Sequence, residues 1–171
     1  MTTTTDGTTT AGPSATPALQ IKELGHLVLY VRDLDASTHF YRDVLGWRPA
    51  YTGTEPLPYR VMPFSAGGRT HHELLLIEVG DGAEPIPPGR RVGLYHFGLK
   101  VGDNDDDLRE ALATLKAHGV PLRGASDHGM THSLYIADPD GNEIELYADV
   151  PGVDWDDPVL WTDPAPRPLH L

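Results

Sequence analysis

The sequence predicts an α+β fold: two βαβββ modules in succession, sharing a sheet or a core. Three observations predict it. Residues 94–101, LYHFGLKV, resemble residues 25–31, GHLVLYV, with a histidine at the same place in each. Both segments lead into an Asp-containing stretch and an apolar pattern of helical period, after which strand-like runs return. A repeat of this length means two units joined in one domain, not a solenoid.

Residues 1–18, MTTTTDGTTTAGPSATPA, lack both a positive start and an apolar stretch, so they are not a secretory signal. Residues 1–20 read as a disordered leader. Residues 21–31 (IKELGHLVLYV) have the β-branched and aromatic content of a strand. Asp33 or Asp35 can cap a helix reaching about Leu45, with Phe40, Tyr41, Val44 and Leu45 on its apolar side. Gly46 ends it. Strands follow at residues 59–64 and 71–79, parted by Ala66-Gly67-Gly68, and a Pro/Gly-rich connector at 80–89 breaks the pattern.

In the second half, residues 94–101 form the opening strand. Residues 103–107 cap a helix carrying Leu108, Leu112 and Leu115 at helical spacing, and Gly119 ends it. Strands at 133–137 and 143–148 flank Asp138-Pro139-Asp140-Gly141, a structural turn in which proline sets the bend and glycine takes positive φ. The domain therefore spans residues 21–150, with modules at 21–82 and 92–150. In the tail, residues 151–171, Trp155, Leu160 and Trp161 predict that part of it docks.

A length of 171 residues suits one such domain. The chain has no cysteine, which excludes disulfides, thiolate zinc sites and a cysteine nucleophile, and leaves nitrogen and oxygen as metal donors. A formal charge of −12 without a basic stripe argues against a nucleic-acid partner. No apolar run approaches the ~20 residues of a membrane span, and a cytoplasmic location follows by default.

Ile144-Glu145-Leu146-Tyr147 sets a carboxylate in an apolar strand, where an unpaired charge would cost several kcal/mol if buried. A metal ion is the most direct partner. His26 and His96 occupy repeat-equivalent positions in apolar strands, so approximate two-fold symmetry would bring them together, with Glu145 as third donor. Two imidazoles and one carboxylate leave coordination positions open, the set suited to non-haem Fe(II) that binds substrate and O₂ together. A lone histidine in such a strand is more often a satisfied core residue; the repeat and the strand glutamate turn the reading toward metal. Of the adjacent His71 and His72 only one can face the site, since alternation groups His72 with Leu74 and Leu76, and His71 with Glu73.

Residues 127–147 carry a family resemblance. His128, Leu134-Tyr135, Asp138-Pro139-Asp140-Gly141 and Glu145 resemble the signature of type I extradiol ring-cleaving dioxygenases: histidine, spacer, apolar residue and tyrosine, acid-Pro-x-Gly turn, glutamate. Ser126, two places before the histidine, departs from the pattern at a non-catalytic position. The paired modules resemble the vicinal oxygen chelate superfamily, which also contains glyoxalase I and bleomycin-resistance proteins. The likeness runs from residue 21 to about residue 151 and is closest to single-domain catechol 2,3-dioxygenases.

The resemblance implies a partly closed mixed sheet around a metal site, with Fe(II), or Mn(II) in its place, held by His26, His96 and Glu145. It implies an acid/base role for His72 in the strand THHELLLIEV, stabilisation of bound oxygen by His128, and a place for Tyr135 near the substrate oxygens. The implied reaction is extradiol cleavage of a catecholic ring, incorporating both atoms of O₂, to a 2-hydroxymuconic semialdehyde-type product. His132 has no motif behind it and reads as structural. The exposed edges of paired modules are compatible with a homodimer or higher homo-oligomer.

Two rival readings share the fold, because one fold supports many functions. A glyoxalase-type isomerase or lyase would use a fourth protein ligand, for which Glu73 and Glu78 are the candidates. A non-catalytic drug-binding resistance protein would need neither the full donor set nor an acid/base histidine.

Overall fold

The computed structural model describes residues 19–162 and 166–171. Two sheets carry the fold. The first contains β1 (Leu27–Val31), β2 (Arg48–Pro49), β3 (Val61–Ser65) and β4 (Leu74–Glu78) in the order β1-β4-β3-β2. The second contains β5 (His96–Gly102), β6 (Gly124–Asp127), β7 (Thr131–Ala137), β8 (Glu143–Asp149) and β9 (Arg167–Pro168) in the order β5-β8-β7-β6-β9. In each module the first strand pairs in parallel with the last, and the remaining pairings are antiparallel. A parallel pair needs a crossover, which helices α1 (Leu34–His39) and α2 (Asp105–Ala117) begin. Each module is therefore βαβββ, and the fold is α+β with neither sheet closed into a barrel.

Both helices start on side-chain caps. Asp33 accepts from the amides of Asp35 and Ala36, and Asn104 from those of Asp106 and Asp107. The first helix reaches Val44 as expected, but its second half, Phe40–Val44, is a π-helical turn.

Elsewhere the ladder decides the boundaries. β1 begins at Leu27, whose amide meets the Glu73 carbonyl at 2.9 Å; residues 21–25 have strand-like composition but no neighbouring strand. β4 likewise begins at Leu74, leaving His71 and His72 just before it. The strands β2 and β6 complete the two modules without a readable pattern, being two and four residues long. The residues around His128 are the end of β6 and the tip of its hairpin with β7. The disordered leader expected over residues 1–20 lies outside the described residues, apart from exposed Leu19 and Gln20.

One hydrophobic core serves both modules. Leu29, Val31, Leu74 and Leu76 of the first sheet join Leu134, Ile136, Ile144 and Leu146 of the second, with Phe40, Tyr41, Trp47, Leu108 and Leu115. Strand alternation then turns the other face of each sheet away from that core. Val28 and Tyr30 lie exposed on the first sheet's outer face, and Tyr135, Glu145 and Tyr147 lie half-buried on the second's. Of the candidate functional residues, Tyr135 and Glu145 are on the second sheet's outer face, while His26 and His72 lie just before β1 and β4.

The Asp-Pro-Asp-Gly turn is also a joint between modules. Asp138 is 6% exposed and accepts from Tyr41 Oη at 2.9 Å, Asn142 Nδ2 at 2.8 Å and two backbone amides. Asp140 accepts from the Arg32 amide at 3.1 Å, and Gly141 takes φ +91°. Burial raises the Asp138 pKa against the opposing pull of its hydrogen bonds from Asn142 and Tyr41. Tyr41→Phe removes one donor from this buried acid and should cost about 1.5–3 kcal/mol in urea unfolding. The loss should be full above the raised Asp138 pKa and shrink as pH falls through it, because the neutral acid needs the donor less.

The tail adds a fifth strand. Ser126 pairs with Pro168 and Asp127 with Arg167, and Leu169 packs against the core. Of the residues expected to dock, Trp155 and Trp161 are 56% and 64% exposed and Leu160 is half-buried, while the β9 pairing and Leu169 join the tail to the domain. Among the described residues no helix is long and apolar enough to cross a membrane.

Candidate metal centre

Parallel pairing of β5 with β8 sets His96 opposite Glu143 and Gly98 opposite Glu145. His96 and Glu145 thus share the outer face, with His96 Nε2 3.2 Å from Glu145 Oε2. Two donors each about 2.1 Å from one ion at roughly a right angle sit about 3 Å apart. The pair fits a shared cation. A Cβ on Gly98 would lie 3.3 Å from the Tyr147 ring and 3.8 Å from Glu145 Oε2, so glycine keeps space at the carboxylate.

β7 places Tyr135 directly opposite Glu145. Its hydroxyl donates to Glu145 Oε1 at 3.0 Å and lies 2.8 Å from His128 Nε2, which is 3.6 Å from the same carboxylate oxygen. Since the hydroxyl proton points to Glu145, His128 Nε2 is the donor in its bond to Tyr135. Burial first, and the Glu145 charge next, raise the Tyr135 pKa, so the phenol stays protonated near neutrality. His96, Glu145, Tyr135 and His128 therefore form one contiguous polar group.

His26 lies elsewhere on the surface of the candidate site. Its ring centroid is 4.8 Å from that of His72 and 5.9 Å from that of His71, and the two Nδ1 atoms of His71 and His72 are 2.7 Å apart. Burial, then the neighbouring His71 and His26, hold His72 below the usual histidine range, which leaves it neutral and able to accept a proton. His26 and His96 line one cavity of about 420 Å³ with Leu24, Leu94 and Phe97. Among the described residues no group of three or more histidines or carboxylates converges at metal-holding distance. The predicted donors thus stand as a close pair, His96 and Glu145, with His26 apart from it; His26 and His96 border one cavity, whose lining does not include Glu145, His71 or His72.

The alternation that grouped His72 with Leu74 and Leu76 does not apply, because both histidines precede the strand. Leu74 and Leu76 are buried in the core, while the His72 ring packs beside His26. Glu143 was missed altogether. His96 Nδ1 is buried with no hydrogen-bond partner among the described residues, and Glu143 Oε1 approaches it to 3.5 Å. That approach lacks hydrogen-bond alignment, but it sets a carboxylate on the Nδ1 side of the ring while Nε2 faces Glu145. Its sequence signal was position alone, two residues before Glu145 on the same face.

The two carboxylates that could supply a fourth ligand are engaged elsewhere. Glu73 Oε2 accepts from Ser65 Oγ at 2.9 Å and the Ala66 amide at 2.7 Å. Glu78 accepts from Arg60 and from the Leu34 amide.

Comparison with known proteins agrees with this architecture. Residues 23–146 match the model of the Glyoxalase/Bleomycin resistance protein/Dioxygenase superfamily. A catechol-2,3-dioxygenase of Bacillus subtilis (strain 168) is 36% identical over 132 residues, 77% of this chain and 43% of the relative. Biphenyl-2,3-diol 1,2-dioxygenase 3 of Rhodococcus globerulus is 34% identical over 126 residues, 74% of this chain and 63% of the relative. The chain thus spans less than two thirds of the length of either. The crystal structure of a glyoxalase/dioxygenase from Nostoc punctiforme superposes with a TM-score of 0.63 over 80% of this chain and 99% of that one, at 20% identity, a likeness of fold. With the family match extending over both βαβββ modules, the chain belongs to the Glyoxalase/Bleomycin resistance protein/Dioxygenase superfamily, the vicinal oxygen chelate proteins.

Proposed function

We propose that the protein is an extradiol dioxygenase that cleaves a catecholic ring with O₂ to a 2-hydroxymuconic semialdehyde-type product, using Fe(II), or Mn(II) in its place. The observation that carries this reading is the contiguous group of His96, Glu145, Tyr135 and His128, a pair of donors flanked by a tyrosine and a histidine. His26, His96 and Glu145 would hold the metal. When bound, the ion would lower the pKa of the diol hydroxyls and bring diol and O₂ together.

The remaining work falls to side chains. Neutral His72, donating its Nδ1–H to His71 Nδ1, keeps a free lone pair on Nε2 to receive a diol proton. Tyr135 orients the substrate oxygens through its hydroxyl. His128 donates from Nε2 to the negative charge that develops on oxygen during attack on the ring. The second module supplies all of these groups except His26 and His72, which lie just before β1 and β4 of the first.

The isomerase reading needs a fourth protein donor, and the engagement of Glu73 and Glu78 with other partners weighs against it. The binding-protein reading leaves the joined His128 and Tyr135 without a task. The deciding experiment is oxygen uptake by protein loaded anaerobically with Fe(II), measured against a panel of catechols. Ring cleavage should consume oxygen and develop the yellow semialdehyde colour. No uptake with any catechol would reject the proposal in favour of drug binding, and anaerobic turnover with zinc or nickel would favour an isomerase.

A further inference from the structure

The hairpin tip that carries His128 is tied down from its far side. His132 is the cross-strand partner of Asp127, and alternation turns it away from Tyr135, toward α2. Its Nδ1 lies 2.6 Å from Asp105 Oδ1 in the first turn of α2, and its Nε2 lies 3.5 Å from Asp127 Oδ1. That same Asp127 oxygen accepts the Gly129 amide at 2.6 Å. Between Asp127 and Gly129 stands His128, whose own amide donates to the Thr131 carbonyl at 2.9 Å. One imidazole therefore clips the helix to the two residues flanking His128.

A stability role alone is a weak account of this arrangement, since partly exposed ion pairs contribute only about 0–1 kcal/mol. Position is the stronger account. A displacement of about 1 Å in a catalytic group can cost on the order of 100-fold in rate, and His128 Nε2 reaches the Tyr135 hydroxyl at 2.8 Å from the end of a short hairpin. We infer that His132 is a positioning residue: through Asp105 and Asp127 it fixes the hairpin tip so that His128 stays aligned with Tyr135 and Glu145. The inference rests on the catalytic reading of His128.

The test compares His132→Ala with His132→Gln in the full-length chain loaded with Fe(II). Ala should lower kcat about tenfold with iron content and KM close to wild type. Gln, which keeps a donor reaching toward Asp127, should recover most of the loss. Amide hydrogen exchange at residues 128–131 should accelerate in Ala and return toward wild type in Gln. Unchanged exchange in Ala, or equal losses in Ala and Gln, would overturn the inference. Should Ala fail to fold, Asp105→Asn cuts the helix end of the clip from outside the hairpin, and the same exchange criterion decides. Exchange is read without turnover, so a wild type that cleaves no catechol sinks the ring-cleavage reading and leaves the clip to be judged on exchange.

Discussion

Glu145→Gln should leave a folded protein that no longer retains iron and shows no measurable ring cleavage. The substitution keeps size and shape, and the amide oxygen can still accept from the Tyr135 hydroxyl, so the β7–β8 pairing survives. What disappears is the only anionic donor of the proposed set. Loss of a supporting outer partner typically weakens metal binding by about 10–100-fold, and a direct ligand should cost at least the upper end of that range. Metal analysis after anaerobic loading and desalting reads the result. His26→Ala should act in the same direction, and iron retained by that variant at wild-type level would confine the site to the second sheet and overturn the three-donor proposal.

His72→Phe should give the opposite pattern, with iron retained and kcat down by about 100- to 10,000-fold, the span of a general acid–base contribution. Phenylalanine fills a similar volume beside His26, 4.8 Å away between ring centroids, while removing the proton acceptor. KM should move less than kcat, because in the proposal the donors and Tyr135 hold the diol while His72 takes its proton. Single-turnover ring cleavage under oxygen, measured beside iron content, separates the two variants. Wild-type turnover in His72→Phe would remove His72 from the mechanism and shift attention to its neighbour His71.

The fold was legible where a pattern ran for several residues. The duplicated histidine strands, both helices and the turn at Asp138 announced themselves through periodicity and turn chemistry. Strands of two to four residues did not, since alternation needs more length than β2, β6 or β9 provide. The start of β1 was misread because composition alone does not supply a hydrogen-bonding neighbour. At the site, the pairing of His96 with Glu145 followed from reading the repeat and the strand together. His128 and Tyr135 were visible only through the family signature, as each is by itself an ordinary hairpin histidine and an ordinary strand tyrosine. Glu143 escaped notice and His132 reads from sequence as merely structural, because their places depend on register and on a helix 27 residues away in the chain.

Each sheet has a rim strand made of the same dipeptide, Arg48-Pro49 on the first and Arg167-Pro168 on the second. A proline has no amide hydrogen to offer an incoming backbone, which is why it is tolerated at a sheet's rim and blunts it. Both outer borders thereby discourage the sideways stacking of molecules into fibrils, a safeguard for a chain whose sheets are otherwise open.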